Sequence, residues 1–261
     1  MAGGGMIIAV VQARVSSARL PSKVLAPVMG EPMLARQLER IGRARNLDRV
    51  IVAASEQPGD DAIERLCADR SVESFRGSLD DVLDRVVAAV RPHGPDHVVR
   101  LTGDCPLADP ELIDAIVAHH VAGGFEYTSN TLRPTYPDGL DTEVVAYPAL
   151  EQAWREAKLP SEREHVTPYL KSSGRFRTEN FAAAVDHSRL RWTVDEPEDL
   201  ELVREIFAAL FPANPAFSTD DVLELLRRRP ELATMNAMHR RDEGYLRSLE
   251  RDARIVAGDA T

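Results

Sequence analysis

Short, uninterrupted apolar runs alternate with segments of helical periodicity along the first 120 or so residues of the chain. The runs at 6–13, 49–55 and 96–104 do not alternate between polar and apolar residues, as a strand with one solvent-exposed face would. Continuous apolar runs of this kind are typical of strands buried on both sides. Apolar residues at helical spacing follow these runs, over 33–45, 60–70, 79–90 and 109–120. This order predicts an α/β fold, with a mostly parallel sheet flanked by helices and joined by right-handed crossovers.

The composition excludes several classes of protein. The chain has 261 residues, 44% of them hydrophobic, and a formal net charge of −10. That charge argues against a general nucleic-acid binder, and no apolar run approaches the roughly 18 residues of a membrane helix. Neither a signal-peptide pattern nor a cysteine framework is present, since Cys67 and Cys105 are the only cysteines. We therefore expect a cytoplasmic protein that binds neither nucleic acid nor membrane.

A basic loop follows the first predicted strand. Arg14, Arg19 and Lys23 stand there among small residues that include Ala13 and Ser17. Ligands of open α/β sheets bind beyond the carboxyl ends of the strands, and small residues let backbone N–H groups approach an anion. The loop is not a Walker A motif. The sequence therefore favours a phosphate-binding loop, and a solvated basic turn is the alternative.

Two carboxylates follow other predicted strands. Asp104 ends the run at 96–104, and Asp195 follows a strand predicted within "LRWTV" (190–194). The ends of parallel strands meet at one edge of a sheet, so these side chains are expected to face the basic loop. Mg²⁺ suits such a site because it takes one or two protein carboxylates together with substrate phosphates. The alternatives are a turn-forming Gly-Asp at Asp104 and a helix cap at Asp195.

The rest of the chain suggests one domain. We expect a flexible leader at 1–5, a single α/β domain over 6–236 and a peripheral charged segment at 237–261. Within the domain, 127–180 begins with an irregular stretch that contains two prolines and a glycine. We interpret that region as an insertion over the sheet edge, which binds the acceptor or forms a hairpin between two subunits of a homodimer.

Six blocks in order carry a resemblance to a known family: "QARVSSARLPSKVL", "FRGSLDDVLDR", "RLTGDCPLADPELID", "SNTLRPTYPDGLDTEV", "LPSEREHVTPY" and "LRWTVDEPEDLELV". They resemble the spore-coat polysaccharide biosynthesis cytidylyltransferase-like family, which is related to the CMP-Kdo and CMP-sialic acid synthetases, over about 6–210. The resemblance implies a Rossmann-like fold of the nucleotide-diphospho-sugar transferase type. It also implies Mg²⁺-dependent transfer of CMP from CTP to a small anionic acceptor, such as a sugar acid, with release of pyrophosphate.

The resemblance also implies roles for individual residues. Arg14 and Lys23 would be catalytic, holding the triphosphate, while Asp104 and Asp195 would bind Mg²⁺. The residues implied in nucleotide binding are Ala13, Arg14, Ser17, Arg19, Lys23, Ser78, Asp84, Thr102 and Asp104. Those implied in acceptor binding are Asn130, Asp138, Asp141, Arg163, Glu164 and His165. The Kdo enzymes have Gln where this chain has Thr102, so a base contact from that Gln does not carry over.

Three other readings stay open at the level of sequence. The chain could be a nucleotide-binding module without transfer activity, although such a module has no need for both carboxylates. It could be a nucleotide-sugar glycosyltransferase, although "TGDCPL" lacks the Asp-x-Asp that usually holds the metal in those enzymes. It could also be a cytidylyltransferase that acts on a phosphonate.

Overall fold

We analysed a computed structural model that describes residues 5–241 and 243–257. Its strands are β1 Ile7–Gln12, β2 Pro27–Val28, β3 Glu31–Pro32, β4 Arg49–Ser55, β5 Glu73–Gly77, β6 His97–Thr102, β7 Tyr127–Ser129, β8 Glu143–Ala146 and β9 Thr178–Asn180. Its helices are α1 Met33–Ile41, α2 Asp61–Asp69, α3 Val82–Val90, α4 Pro110–Gly123, α5 Tyr147–Glu156, α6 Pro160–His165, α7 Pro168–Ser172, α8 Pro197–Leu210, α9 Thr219–Arg228 and α10 Glu243–Val256. The predicted leader lies mostly outside the described residues.

Seven strands form one mostly parallel sheet in the order β5-β4-β1-β6-β8-β7-β9. Only β8 runs against its neighbours β6 and β7, and β2 pairs with β3 in a separate two-stranded ribbon. The central position of β1 between β4 and β6 confirms the prediction from its continuous apolar run. The predicted fold class, a parallel sheet flanked by helices, is confirmed.

Each face of the sheet carries its own hydrophobic core. On β1, Ala9 and Val11 face the core formed with α1, α2, α4, α8 and α9. Ile8 and Val10 face the opposite core, formed with α3, α5 and α7. Because side chains alternate across a strand, a strand between two helical layers needs apolar residues at successive positions. This requirement explains the unbroken apolar runs of β1, β4 and β6.

Three regions differ from the sequence-based expectations. The region 127–180 does not lie over the sheet edge, because β7, β8 and β9 complete the sheet beside β6. The strand predicted at 190–194 is wrong: only an isolated bridge between Asp138 and Arg191 is formed there. The described part of the segment predicted at 237–261 is not peripheral, since α10 packs on α6 and lines the main cavity. Among the described residues, no helix has the length and apolar character needed to cross a bilayer.

Candidate active site

A cavity of about 670 Å³ opens at the carboxyl ends of β1 and β6. Its walls come from the loop 13–23, from the turn after β6, from the segment before α8, and from α6, α7 and α10. Ten of the lining residues are Arg or Lys and seven are Asp or Glu. The cavity is therefore locally positive within a chain of net charge −10. A positive, concave site in an acidic protein is suited to a small polyanion.

The loop 13–23 is held in place by a buried carboxylate. Asp60 accepts hydrogen bonds from the backbone N–H of Val15 at 2.7 Å and of Ser55 at 2.9 Å. The loop closes on itself where Ser22, in the left-handed region at φ 58°, donates its N–H to the carbonyl of Val15 at 3.0 Å. Asp60 was not identified from the sequence, because an aspartate at the start of a predicted helix has an ordinary structural role there.

Lys23 joins the two aspartates that were predicted to bind metal. Its buried ammonium donates to Asp104 Oδ2 at 3.0 Å, to Asp195 Oδ1 at 2.8 Å and to the carbonyl of Val194 at 2.7 Å. Burial alone would raise the pKa of Asp104, but the charge of Lys23 and its hydrogen bond outweigh burial and lower that pKa to about 2. The same two carboxylates raise the pKa of Lys23 against the effect of burial. Asp104 and Lys23 are therefore both charged at neutral pH.

Arg191, not a preceding strand, brings Asp195 into the cavity. Its guanidinium donates to Asp195 Oδ2 at 3.1 Å, to Asp138 at 3.0 Å and to Asp199 at 2.9 Å. Asp195 does not cap α8: that position belongs to Glu196, and Asp199 accepts from the N–H groups of both Asp195 and Glu196 at 2.9 Å. The alternative reading of Asp195 as a helix cap is therefore wrong.

Gly103 lets the ends of β1 and β6 approach each other. Its N–H donates to the carbonyl of Gln12 at 2.8 Å. A Cβ at this position would lie 2.9 Å from that of Ala13, closer than side chains pack. The close approach places Asp104 beside the basic loop. The neighbouring thiol of Cys105 is buried, and burial raises its pKa well above the ordinary value, so it is not an activated nucleophile.

Asp104 and Asp195 fit Mg²⁺ in the way that phosphate-transferring sites usually bind it. Both carboxylates reach the same ammonium, so a cation at that point would contact both. Among the described residues there is no group of three or more His, Cys, Asp or Glu arranged to hold a metal ion. A two-carboxylate site completed by water and substrate phosphates suits Mg²⁺, which dehydrates reluctantly.

The far end of the cavity centres on Glu143, at the start of β8. This buried carboxylate accepts from Tyr127 at 2.5 Å, from Thr167 at 2.7 Å and from Lys171 at 2.8 Å, and it pairs with Arg100. Burial would raise the pKa of Glu143, yet Lys171 and Arg100 hold it well below its usual range. None of these residues was identified from the sequence, because they come from separate segments that only the folded chain brings together.

Arg85 supplies a buried cation without a bonded carboxylate. One of its terminal nitrogens donates to the carbonyl of Ser78 at 2.6 Å, and its Nε has no hydrogen-bond partner among the described residues. Burial and the charge of Arg14 lower the pKa of Arg85 to about 10, so it remains protonated at neutral pH. Because it lines the cavity, Arg85 is available to a bound anion.

Most of the residues implied by the resemblance line this one cavity. They are Ala13, Arg14, Ser17, Arg19, Lys23, Thr102, Asp104, Asp138, Asp141, Glu164, His165 and Asp195. The basic loop, the aspartate pair and part of the acceptor set are thus brought together. Arg14 is exposed there, while Arg19 pairs with Asp195 at 2.8 Å.

Four of the predicted residues stand behind the cavity wall. Ser78 accepts from the N–H of Asp81 at 3.0 Å, and Asp84 accepts from the indole of Trp154 at 2.8 Å. Asn130 bridges the loop that precedes β8, accepting from the N–H of Thr142 at 2.9 Å and donating to the carbonyl of Leu140 at 2.8 Å. Arg163 donates to Asp81 at 3.0 Å, which fastens α6 to the start of α3. All four support the site from outside the set of lining residues.

Comparison with known proteins identifies the family of the chain. The family model described as "Cytidylyltransferase" matches residues 8–222. Spore coat polysaccharide biosynthesis protein SpsF of Bacillus subtilis is 32% identical over 236 residues, 87% of this chain and 97% of that protein. A 3-deoxy-manno-octulosonate cytidylyltransferase of Anaeromyxobacter is 35% identical over 142 residues, 53% of this chain and 56% of that enzyme.

The solved structure of a cytidylyltransferase from Leptospira borgpetersenii superposes with a TM-score of 0.83 at 31% identity, covering 87% of this chain and 96% of that one. The resemblance expected from the six sequence blocks is therefore confirmed. By its family model, its relatives and its fold, the chain is a nucleotidyltransferase that belongs to the cytidylyltransferase family.

Proposed function

We propose that the protein transfers CMP from CTP to a small anionic acceptor and releases pyrophosphate, with Mg²⁺ as its metal. The single observation that carries this proposal is the contact of the Lys23 ammonium with the carboxylates of both Asp104 and Asp195, at 3.0 Å or less. This cluster lies beside the loop that bears Arg14. Cations that can hold phosphates and carboxylates that can hold a metal thus share one cavity. A module that only bound a nucleotide would not require the second carboxylate.

In this reaction an acceptor oxygen attacks the α-phosphorus of CTP in line, and the bond to the β-phosphate oxygen breaks. Mg²⁺ on Asp104 and Asp195 would neutralise phosphate oxygens. Lys23, released from the two carboxylates, donates to the pyrophosphate that leaves. Arg14 and Arg85 add positive charge from the wall of the cavity. These groups act by positioning the reactants and by stabilising charge, because phosphoryl transfer needs little covalent help from the protein.

The acceptor class follows from charge and from the relatives. The lining of the cavity as a whole carries ten Arg or Lys residues against seven Asp or Glu, which favours anionic reactants. SpsF is named for polysaccharide biosynthesis, and the Anaeromyxobacter enzyme for a sugar acid. We infer that this protein activates a sugar acid or a related anion as a precursor of a polysaccharide, such as a spore-coat component, or of a glycoconjugate. A glycosyltransferase is not favoured by any feature of the site.

Release of pyrophosphate tests the proposal directly. The full chain is incubated with Mg²⁺, each of the four ribonucleoside triphosphates and a panel of sugar acids, sugar phosphates and neutral sugars. We expect release with CTP, with one class of anionic acceptor, and only when both are present. Release that does not depend on CTP, or no release with any member of the panel while CTP is bound, would contradict it.

Two further expectations remain proposals. We propose a homodimer, to be tested by light scattering after size-exclusion chromatography, where a monomer at micromolar concentration would contradict it. We also propose a cytoplasmic location, because the proposed substrate is CTP and both cysteines are buried free thiols. Fractionation of the native host that found the protein elsewhere would overturn this location.

A further inference from the structure

Helix α10 closes one side of the cavity, although it lies beyond the matched family model, which ends at residue 222. Buried polar residues anchor it to α6. Asp252 accepts from the N–H of Ser161 at 3.1 Å, and Ser248 donates to Glu164 at 3.0 Å while contacting His165 Nε2 at 2.9 Å. These contacts fix which face of α10 turns toward the cavity.

Two arginines one helical turn apart on α10 line the cavity. Arg247 approaches Glu243 at 3.7 Å and Arg251 approaches Glu164 at 3.4 Å. Their side chains are 65% and 61% exposed, so neither guanidinium is fully engaged by its partner. Residues at i and i+4 share one helix face, so both guanidinium groups reach the same part of the cavity.

The neighbouring wall is positive too. Lys171 and Arg100 both pair with Glu143, a single carboxylate. Together with Arg247 and Arg251 this part of the cavity holds four cations, against the three carboxylates of Glu143, Glu164 and Glu243. His165 adds no charge at neutral pH, because burial lowers its pKa to about 4. The cation in excess, and the exposure of both α10 guanidinium groups, favour a second anionic group on the bound reactants.

We propose that Arg247 and Arg251 of α10 bind the negatively charged group of the acceptor, a carboxylate or a phosphate, and thereby select an anionic acceptor. This inference rests on the proposed function and deepens it by assigning acceptor selection to a segment outside the family model. Guanidinium groups bind both oxyanions through paired N–H donors. A neutral sugar would leave those donors without a partner and would bind more weakly.

The test is calorimetric binding by the full chain saturated with Mg²⁺ and α,β-methylene-CTP, whose bridge prevents transfer. The probes are 3-deoxy-manno-octulosonate for the carboxylate, mannose 6-phosphate for the phosphate and mannose as the neutral sugar. We expect one of the charged probes to bind at least about tenfold more tightly than mannose, since hydrogen bonds to charged groups are the stronger ones. The probe that binds distinguishes the two anion classes.

Arg247→Gln and Arg251→Gln should each weaken binding of the charged probe by about tenfold and leave α,β-methylene-CTP binding unchanged. Arg254→Gln is the matched control, because Arg254 is exposed on the same helix and does not line the cavity. The inference is overturned if both variants keep the wild-type affinity for the charged probe, or if the wild-type chain prefers neither charged probe over mannose. In either case, binding of the nucleotide analogue would still support the proposed function. Absence of analogue binding by the wild-type chain would overturn both.

Discussion

Replacing Lys23 with methionine tests the centre of the site. Methionine keeps most of the volume of this buried side chain but removes the ammonium and its three hydrogen bonds, to Asp104, Asp195 and the carbonyl of Val194. The two carboxylates then face each other without a cation between them. The variant should lose both stability and catalytic rate, for separable reasons.

The loss of stability can be bounded from the contacts. Removing one partner of a buried ion pair costs about 3–5 kcal/mol. Because the carboxylates of Asp104 and Asp195 are 27% and 19% exposed and can recover some water, we expect a decrease of about 2–3 kcal/mol in the free energy of unfolding. At roughly 2–4 °C per kcal/mol for a chain of this size, Tm should fall by about 4–12 °C. Turnover should fall by about 10²–10³-fold, the usual effect of removing one group that stabilises the transition state.

The assays are thermal unfolding and steady-state pyrophosphate release with CTP, Mg²⁺ and the acceptor that wild type uses. Lys158→Met is the matched control, because Lys158 is exposed and does not line the cavity, and it should change neither quantity beyond about 0.5 kcal/mol. A folded Lys23→Met protein with kcat/KM within a few-fold of wild type would refute the assigned role.

Three other substitutions test the surroundings of Lys23. Gly103→Ala places a Cβ 2.9 Å from that of Ala13. Calorimetry should show weaker CTP binding, and thermal unfolding should show a decrease of about 1–3 kcal/mol in the free energy of unfolding. Unchanged CTP affinity would contradict the role of Gly103 in bringing the ends of β1 and β6 together. Asp60→Ala removes the acceptor of the Val15 N–H, which loosens the loop 13–23, so KM for CTP should rise several-fold. An unaltered KM would contradict the role of Asp60 in holding the loop. The pKa of Asp104 falls from 3.8 to about 2 on folding. The ionised carboxylate therefore contributes its full stabilisation of the fold above pH 3.8, and this stabilisation is lost as pH falls to about 2. Asp104→Asn should flatten the Tm–pH curve between these two values, and a curve identical to that of wild type would count against the shift.

Apolar runs predicted the centre of the sheet, because β1, β4 and β6 need hydrophobic residues on both faces. Strand β5 was not predicted: it lies at the sheet edge, and of its residues only Gly77 is buried. The turn at Asp104 followed from the end of β6. The pairing of the antiparallel β8 with β6 was not predicted, since strand pairing depends on the whole sheet.

The rest of the site depends on side-chain contacts that leave little pattern in the sequence. Asp195 was predicted at the right place for the wrong reason, because the guanidinium of Arg191 positions it rather than a strand. Helix α10 was expected to be peripheral because the segment is charged. In the structure Ser248 and Asp252 are buried, while Leu246 and Leu249 are exposed. Hydrophobic periodicity therefore could not predict that buried polar residues attach α10 to α6.

The most direct measurement is anomalous diffraction from crystals of the full chain grown with Mn²⁺ and α,β-methylene-CTP. Manganese stands in for Mg²⁺ and is located without ambiguity. We expect its peak between the carboxylates of Asp104 and Asp195, with the triphosphate against Arg14 and Lys23. A metal peak away from both aspartates, or a nucleotide bound outside the cavity, would contradict the account.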